Sequence, residues 1–571
     1  MRASTRIRAG WAAAAAVSVL VASAAISNGH SSPSSAIGPR SQFVAGTPEA
    51  GTPVGLDTTV YFPSASPAPA IVLAHGFGGS KTRLANQARS LAGLGYVVLT
   101  YTARGFGRSG GLIHLDAPSY EVADASLLIS YLATLPQVLK DVAGDPRVGV
   151  AGSSYGGGLA LLLGAYDKRV DAVAADITWN DLSQALFPNA AGGGPGVFKK
   201  LWAGELFASA AGQKGGACGR LAPDLCLAYQ QAASTGQPDA SILSLLKASS
   251  PAGVLARITA PTLLSQGEDD SLFPLGQADA NARGIAAHGT PVKMIWRSGG
   301  HDGEPDTKDV DQVANLDNWS RPVLLQRGRP APPFHVPVPG TALSSATGRN
   351  IPESLKVDRG YPARRTQQVA LYGAEQRIYA PSGGNPAAVT SVPGLGALLS
   401  GGGTFTGSPS ETTIPGQVAR FASLPLANSV LLGGSSTVAL SVTVHDATDA
   451  TLFVSAHLIR ADGRDRLPEG LVAPFRLTGL KPGLARAVHV FRLLLVELRV
   501  QNVGRDFCPR EHATAQRRGF DADRAAPHRL RTRVAIFDLG DGGVVFFAAR
   551  LVDAIVRIDP RHRAIGRDDV D

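Results

Sequence analysis

One serine stands in a sequence context that exposes a hydroxyl group for nucleophilic attack. A short apolar run begins at Val148, Gly152-x-Ser154-x-Gly156 ends it, and an apolar helix-like segment follows from Leu159. Between a strand and a helix, this pattern places the serine on a turn too tight for side chains at the flanking glycines. The helix would direct N–H groups and partial positive charge at an oxyanion. We therefore predict that Ser154 is a nucleophile.

Two other glycine-rich stretches resemble functional motifs less closely. Residues 107–111 also fit Gly-x-Ser-x-Gly around Ser109, but they lie in a loop beyond the predicted strand 96–101, with no helix following. Residues 78–82 imitate a phosphate-binding loop, yet Ser80 precedes the lysine where that motif requires glycine. The sequence thus favours Ser154 over Ser109 and predicts no nucleotide binding.

A serine nucleophile needs a base and an acid, and two later loops supply candidates. Asp270 lies in the pattern Gly-x-x-Asp-x-x-x-Pro after one predicted strand, and His301 lies between glycine and aspartate after the next. His301 would take the serine proton and return it to the leaving group. The acid would hold the imidazole tautomer and stabilise the imidazolium. The order serine, aspartate, histidine is one of the known orders for such a triad.

Other residues are weaker candidates for the same two roles. The neighbour Asp269 is an alternative acid, and Asp176 and Asp181 are fallback acids after the preceding strand. The alternative bases lie in a turn, a loop and a surface helix, and they are His75, His114 and His288.

The oxyanion that forms during attack on a carbonyl needs two N–H donors. The turn His75-Gly76-Phe77 follows an early strand, where such turns commonly donate a backbone N–H. We predict the backbone N–H groups of Phe77 and Tyr155 as the pair. The alternative is that this turn only connects the strand to the following helix and has no role in binding the oxyanion.

The elements around these residues alternate between short buried strands and helices. This order predicts a mostly parallel sheet with helices on both faces. Residues 179–250 interrupt the alternation with aromatic residues and glycines, and we interpret them as a largely helical cap. The cap aromatics either line an apolar pocket or form the cap's own core. The predicted strands are 54–62, 70–75, 96–101, 148–152, 170–177, 262–265 and 292–296, and the predicted helices are 81–92 and 119–133.

The amino-terminal segment resembles an export signal. Three arginines precede an Ala/Val/Leu run that ends in small residues near position 26. We predict a signal peptide over residues 1–26 and a flexible leader over 27–50, hence a secreted or cell-envelope protein with no stable membrane span. An uncleaved anchor is the alternative, but the run is shorter than the roughly 20 residues of a typical span.

Composition restricts the class of protein further. The chain has 571 residues, 44% of them hydrophobic, and a formal net charge of +9. The positive charges are diffuse, so we predict no nucleic-acid partner. Cys218 and Cys226 are close in a chain expected to be exported, and a disulfide between them is predicted, with two free thiols as the alternative. No spacing indicates a metal site, and we expect no cofactor.

The second half of the chain changes its pattern. Residues 329–345 are rich in proline and read as a linker, and residues 346–490 alternate apolar and polar positions as β-strands do. We predict a β-sandwich there. Residues 491–571 hold 15 Arg and no Lys, and the alternation stops near residue 490. We hypothesise that this tail does not continue the domain, that a frame shift near residue 490 caused it, and that it packs poorly.

Four motifs of the chain belong together, and they are Arg104-Gly105-x-Gly107-x-Ser109-Gly110, Gly152-Ser153-Ser154-Tyr155-Gly156-Gly157, Gln266-Gly267-x-x-Asp270-x-Leu272-Phe273-Pro274 and Gly299-Gly300-His301-Asp302-Gly303. Together they resemble the Xaa-Pro dipeptidyl-peptidase and cocaine-esterase-like serine hydrolases of the α/β-hydrolase superfamily. The resemblance implies Ser154, Asp270 and His301 as the triad, a helical cap, and a jelly-roll-like β domain after a catalytic domain at 51–328. Family members usually donate to the oxyanion from a tyrosine side chain, where this chain has Phe77.

The sequence therefore predicts a secreted serine hydrolase that cleaves an ester or amide through an acyl-enzyme on Ser154. Its expected substrate is a small ester or a short peptide. One alternative is an Xaa-Pro dipeptidyl-peptidase. An alternative of another class is an inactive binding protein that keeps a hydrolase scaffold.

Overall fold

The structure is a computed structural model, and its described residues form a large mixed sheet, a helical cap and a pair of β-sheets. The described ranges are 38–191, 195–212, 216–268, 270–297, 299–301, 316–317, 320–326, 334–343, 350–357, 366–378, 418–424, 431–444, 448–459, 465–466, 472–482, 484, 486–499, 528–535, 544–551 and 554–557. Among them, no helix is long and apolar enough to cross a membrane.

Ten strands make the central sheet, in the order β1-β2-β4-β3-β7-β8-β10-β11-β12-β13. Neighbours from β4 to β12 run parallel, and the pairs at the two edges are antiparallel. The mostly parallel sheet predicted from the sequence is thereby confirmed. These strands are β1 Arg40–Glu49, β2 Thr52–Tyr61, β3 Ala70–Ala74, β4 Val97–Tyr101, β7 Val148–Ser153, β8 Val170–Asp176, β10 Thr262–Gly267, β11 Val292–Arg297, β12 Phe334–Leu343 and β13 Asn350–Val357.

Both faces of this sheet are covered, because its central strands are apolar at successive positions. Side chains of β3 alternate between two cores, with Val72 on one face and Ile71 on the other. Helices α2, α3 and α8 contribute to the first core and α1 to the second. The helices are α1 Ala85–Gly93, α2 Ala123–Thr134 (extended at its start by a π-helix, Pro118–Val122), α3 Tyr155–Tyr166 and α8 Leu275–Ala286.

The strand order reverses at β3, which has β4 on one side and β7 on the other. Loops after β3 and β7 leave the same edge of the sheet, because these two strands are parallel neighbours. Open sheets of this kind bind ligands at such a reversal. The turn after β3 carries Phe77, and the turn after β7 carries Ser154.

The prediction of a flexible leader over residues 27–50 is wrong for residues 40–49. They form β1, which pairs antiparallel with β2 and sets Val44 opposite Leu56. Arg104 and Asp124 fasten the strand, since Asp124 accepts the Thr47 N–H and Arg104 donates to the Thr47 carbonyl. These tertiary contacts outweigh the glycine and serine content that suggested a leader.

The prediction of a linker over 329–345 is also wrong for residues 334–343, because they form β12, which adds to the central sheet; the rest of that range lies outside the described residues. Phe334 and His335 pair with β11, and the following residues pair only with β13. Pro337 and Pro339 therefore stand where β12 has a neighbour on one side only. Proline is tolerated at such positions because no second ladder needs its N–H. The sheet of the catalytic domain extends to Val357, beyond the predicted boundary at 328.

Between β8 and β10 the chain forms the cap. Its described residues contain four α-helices, two short 3-10 helices (Pro251–Gly253 and Leu255–Arg257) and a two-residue strand, and a disulfide joins Cys218 to Cys226. The elements are α4 Leu182–Leu186, β9 Ala190–Ala191, α5 Lys200–Ala211, α6 Pro223–Thr235 and α7 Ala240–Ala248. A small hairpin, β5 Lys140–Val142 with β6 Asp145–Pro146, lies outside the central sheet.

The remaining strands form two sheets, which share the all-β character predicted for 346–490. One has the order β14-β22-β17-β24-β15 with β21 also on β17, and the other has the order β16-β23-β18-β20-β9 with β19 on β18. Alternate residues of β17 are buried from Val438 to Val444, as the period-two pattern predicts. The strands are β14 Thr366–Leu371, β15 Gln376–Ile378, β16 Val418–Ala422, β17 Leu431–Val444, β18 Asp449–Ile459, β19 Asp465–Arg466, β20 Ala473–Thr478, β21 Arg486–Arg499, β22 His528–Ala535, β23 Val544–Leu551 and β24 Ala554–Arg557.

The hypothesis that residues 491–571 do not continue the β domain is contradicted where the structure describes them. Strand β21 runs through residue 490, β22 and β24 pair with β17, and β23 pairs with β18. The physical reason is alternation that the arginine content obscured, since arginine alternates with leucine, threonine and valine from 529 to 534. A frame shift near residue 490 stays a prediction, tested by resequencing the coding DNA.

Candidate active site

Ser154 has the backbone conformation of a strained turn. Its φ is 55° and its ψ is −117°, between the end of β7 and the first residue of α3. The glycines on either side are required by contact distances. A Cβ at Gly156 would lie 2.2 Å from the Ala74 carbonyl oxygen, and one at Gly152 would lie 2.4 Å from the Gly156 carbonyl oxygen. The tight turn presents the Ser154 hydroxyl above the sheet edge.

Three side chains from separate loops form one chain of hydrogen bonds. His301 Nε2 lies 2.8 Å from Ser154 Oγ, and His301 Nδ1 lies 2.6 Å from Asp270 Oδ2. Asp270 is completely buried. With its Nδ1–H donating to the carboxylate, the imidazole presents Nε2 as an acceptor for the serine proton. The arrangement can activate a hydroxyl for attack on an acyl carbon.

The Asp270 carboxylate is held by its surroundings. Oδ1 accepts the Phe273 N–H at 2.7 Å, and Oδ2 also accepts the His301 N–H at 3.3 Å. The Phe273 and Trp202 rings lie nearly perpendicular to the His301 ring, with centroids 5.2 and 6.0 Å from it. Aromatic packing on two sides restricts the imidazole to the orientation that serves both hydrogen bonds.

The turn after β3 lies beside the nucleophile. A Cβ at Gly76 would stand 3.7 Å from Ser154 Cβ, so the turn and the hydroxyl border the same space. Tyr155 begins α3, and its N–H is among the first four of the helix, which have no acceptor within it. The Phe77 ring packs edge-on against Tyr155, with centroids 5.4 Å apart. These positions suit the predicted N–H pair of Phe77 and Tyr155.

His75 has a structural role that holds this turn. Its Nε2 accepts the Ala103 N–H at 2.9 Å, so the ring proton is on Nδ1 and is donated to the Gly76 carbonyl at 2.7 Å. Burial lowers the pKa of His75 to about 4, because the charged form would be desolvated. The side chain is therefore a neutral bridge between two loops and does not act as a base.

The other alternative residues are occupied elsewhere or lie away from Ser154. Asp176 accepts hydrogen bonds from Ser153 and Arg297, and Asp181 caps α4. His114 pairs with Glu49, His288 is exposed, and Asp269 lies outside the described residues. None of the described alternatives replaces Asp270 or His301 in the hydrogen-bond chain.

Ser109, in the second Gly-x-Ser-x-Gly stretch, holds a loop together. It is 1% exposed, its Oγ donates to the Thr102 carbonyl, and it accepts the Asp57 N–H at 2.9 Å. Both hydrogen-bonding functions of the hydroxyl are therefore used inside the fold. The structure agrees with the interpretation of this stretch as a loop.

A buried charged cluster below Tyr155 was not anticipated from the sequence. Arg104 makes a bidentate ion pair with Asp124, and the Asp116 N–H donates to the Tyr155 hydroxyl at 3.2 Å. Burial raises the pKa of Asp116 well above its usual range and that of Glu121 to about 7. The motif Arg104-Gly105 was a sequence signal for this cluster, but the carboxylates that pair with Arg104 are distant from it in sequence.

Helix α5 of the cap lies across the site. Near its start, Trp202 packs on His301, and near its end, Ser209 meets the turn after β3. A Cβ at Gly78 would lie 2.5 Å from Ser209 Oγ, and Gly78 has a φ of +73°. Sequence reasoning identified the cap aromatics but not this contact with both arms of the site. Among the described residues, no group of three or more His, Cys, Asp or Glu side chains could hold a metal ion.

Comparison with known proteins agrees with this geometry. Residues 51–303 match the family model described as X-Pro dipeptidyl-peptidase (S15 family). An α-amino acid ester hydrolase structure covers 94% of this chain and 93% of its own, at 13% identity and a TM-score of 0.56. An aminopeptidase from a marine sediment archaeon (Thaumarchaeota) covers 93% and 92%, at 13% identity and a TM-score of 0.56. A CocE/NonD family hydrolase from Staphylococcus aureus covers 90% and 88%, at 12% identity and a TM-score of 0.51.

Curated relatives match over shorter stretches. The quorum-quenching protein AidA of Acinetobacter baumannii is 36% identical over 117 residues, which are 20% of this chain and 36% of that protein. The uncharacterised protein YcjY of Escherichia coli is 33% identical over 126 residues, 21% of this chain and 40% of that protein. The chain thus spans well under half the length of these relatives.

The fold and the family match define the class. The chain has the α/β-hydrolase fold, and its residues 51–303 are similar to the S15 family. The resemblance inferred from the four sequence motifs is confirmed.

Proposed function

We propose that the protein is an exported serine hydrolase that forms an acyl-enzyme on Ser154. The observation that carries this proposal is the unbroken hydrogen-bond chain from Asp270 through His301 to the Ser154 hydroxyl. A buried aspartate, an imidazole and a hydroxyl on a tight turn, hydrogen-bonded in this order, have one well-understood use, which is acyl transfer.

The reaction divides into two halves. Ser154 Oγ attacks the acyl carbon while His301 Nε2 takes its proton, and the carbonyl oxygen becomes an oxyanion facing the Phe77 and Tyr155 N–H groups. His301 then gives the proton to the leaving alcohol or amine as the acyl bond to it breaks. Water, deprotonated by His301, attacks the acyl-enzyme and releases the acid, and the proton returns to Ser154.

The surroundings of the site favour esters with an uncharged acyl group. Two aromatic rings, Phe273 and Trp202, pack on His301, and the Phe77 ring packs on Tyr155 beside the nucleophile. A substrate with a free amine needs a carboxylate to bind it. The cap contains four acidic side chains. Asp181 and Asp239 are the N-terminal caps of helices, and Glu205 and Asp224 are exposed to solvent.

A second candidate is cleavage of an Xaa-Pro amide. The observation that favours it is the family match, whose description names X-Pro dipeptidyl-peptidases. The same acyl-enzyme chemistry would serve both reactions, with an amine instead of an alcohol as the leaving group.

The first test uses a fluorophosphonate probe on the purified protein. We expect covalent labelling of the wild type and none of Ser154→Ala, with turnover lost by about 10⁴-fold in Ser154→Ala and in His301→Ala because the residues act as a unit. Ser109→Ala is the matched control, and its labelling and turnover should stay within a few-fold of wild type. Absence of labelling in the wild type would favour the inactive binding protein.

The second test compares a short-chain aryl ester with an Xaa-Pro amide under the same conditions. We expect a higher kcat/KM for the ester. A preference for the amide would contradict the assignment to esters while leaving the Ser154 chemistry intact. Export is tested separately, by sequencing the amino terminus of protein collected outside the cell, where cleavage near residue 26 is expected.

A further inference from the structure

The first turn of α5 holds the loop that follows Asp270. Lys199 Nζ donates to the main-chain carbonyls of Ser271 and Leu272, the latter at 2.8 Å. The Trp202 Nε1–H donates to Ser271 Oγ at 2.9 Å. The loop carrying the proposed acid is therefore fastened to the cap as well as to the central sheet.

The peptides that Lys199 contacts are adjacent to groups that orient the imidazole. Leu272 is followed by Phe273, whose N–H donates to the Asp270 carboxylate at 2.7 Å and whose ring packs on His301. A shift of the 271–272 peptides would therefore move a hydrogen bond to the acid and a wall of the imidazole together. Lysine suits this position because its ammonium group has three donors and can serve two carbonyls at once.

In the cap segment before Lys199, residues 186–191 and residues 195–199 form the two arms of a narrow hairpin. The Lys199 N–H donates to the Leu186 carbonyl at 2.9 Å, and the Gly196 N–H donates to the Phe187 carbonyl at 3.0 Å. A Cβ at Gly196 would lie 1.7 Å from the Pro188 carbonyl oxygen, so the two arms approach closely. A displacement at one end of such a hairpin is transmitted to the other.

The far end of this hairpin belongs to a sheet of the β domain. Strand β9 pairs in parallel with β20, the Arg476 N–H donates to the Asn189 carbonyl, and Asn189 Nδ2 donates to the Pro474 carbonyl, both at 2.9 Å. Contacts therefore run without a break from the β domain, through the hairpin, to the loop after Asp270.

We propose that Lys199 is a positioning residue for the Asp270–His301 pair, and that the β domain supports it through the two hairpin arms 186–191 and 195–199. The proposal rests on the function proposed above, because it assigns a role relative to that triad. Lys199 would act through the acid loop, whose Ser271 and Leu272 carbonyls accept its hydrogen bonds. Its loss should therefore lower kcat and leave KM nearly unchanged, which distinguishes it from a residue that binds substrate.

The test compares Lys199→Met with Lys200→Met, since Lys200 is the adjacent lysine and is exposed. We expect kcat for the aryl ester to fall about 10-fold to 100-fold in Lys199→Met, the range that small misplacements of catalytic groups produce, with KM within about threefold. Fluorophosphonate labelling should slow by a similar factor. Lys199→Arg should recover most of the rate, and Lys200→Met should match the wild type.

The contribution of the β domain is tested with Asn189→Gly. Asn189 has a φ of 58°, which glycine adopts without strain, so this change removes the hydrogen bond from the side-chain amide to the Pro474 carbonyl while the backbone conformation stays accessible. We expect a fall in kcat of about threefold to tenfold, the usual range for one lost hydrogen bond. An unchanged kcat would overturn the role of the β domain.

Three outcomes separate this proposal from the one on which it rests. If the wild type is not labelled, the proposed function fails. If the wild type is labelled and Lys199→Met equals Lys200→Met, the positioning role fails. If Lys199→Met does not fold, Trp202→Phe decides, because it removes the Nε1–H bond to Ser271, which is the second hydrogen bond from the start of α5 to the acid loop, and keeps a smaller aromatic ring near His301. An unchanged kcat there also overturns the proposal.

Discussion

Gly156 offers the sharpest test of how the fold forms the active site. A Cβ added there would lie 2.2 Å from the Ala74 carbonyl oxygen and 2.6 Å from its carbon, both main-chain atoms at the end of β3. Ordinary contact begins at 3.4 Å, so α3 and the end of β3 must separate by about 1.2 Å to accept alanine. Rotation of a side chain cannot relieve this contact, because the atoms that the Cβ would meet belong to the main chain.

The separation would act on the two N–H groups that are proposed as oxyanion donors. The end of β3 leads into the turn with Phe77, and α3 begins at Tyr155, so Gly156→Ala would pull the two N–H groups apart. Misplacement by about 1 Å can cost roughly 100-fold in rate. We expect kcat/KM of Gly156→Ala to fall by about that factor, and its free energy of unfolding to fall by about 1–3 kcal/mol from overpacking.

The assays are aryl-ester kinetics and denaturant unfolding followed by tryptophan fluorescence. Gly93→Ala is the matched control, because Gly93 ends α1, is exposed, and has open space where its Cβ would be. It should keep wild-type kinetics and gain up to about 1 kcal/mol of stability. Wild-type kcat/KM in Gly156→Ala would refute the argument that this contact sets the oxyanion site.

Three further predictions concern stability. The pKa of His75 is lowered from 6.5 to about 4, so the unfolded chain binds the proton more readily; about 3 kcal/mol should be lost as pH falls through this interval, and His75→Gln should flatten that loss. The pKa of Glu121 is raised from 4.5 to about 7, so its contribution of about 3 kcal/mol to the free energy of unfolding is complete below pH 4.5 and lost as pH rises to 7. Glu121→Gln should flatten the plot of unfolding free energy against pH in this interval, and an unchanged slope would contradict this. The disulfide between Cys218 and Cys226 should stabilise the cap by about 2–3 kcal/mol, measured against a double serine variant, and mass spectrometry of exported protein finding two free thiols would refute it.

Local sequence patterns were sufficient for the centre of the sheet. The apolar run before Gly152 becomes β7, and the predicted strands at 170–177 and 292–296 become β8 and β11 within a residue at each end. These segments are buried on both faces, so their apolar runs are continuous and their ends coincide with polar or glycine residues. Prediction succeeded where burial dictates composition.

Prediction failed at the edges of the sheet and in the tail. Residues 40–49 and 334–343 contain proline, glycine or serine that a central strand would exclude, yet they pair at or near an edge. An edge or one-sided strand needs fewer apolar residues and fewer N–H donors, so its composition resembles that of a loop. In the tail, the arginine content hid the alternation that β22 follows.

The sequence by itself was enough to predict the chemistry, because a glycine-bounded serine after one strand, and an aspartate and a histidine after two later strands, are the residue types of a nucleophile, an acid and a base. Only the tertiary structure decided which groups support them. The neutral bridge of His75 to Ala103 and the contact of Lys199 with the loop after Asp270 join segments 28 and 72 residues apart. Such contacts form between loops that are distant in sequence and adjacent above the sheet edge. Local sequence patterns do not predict them, because the packing of the whole domain sets which loops are adjacent.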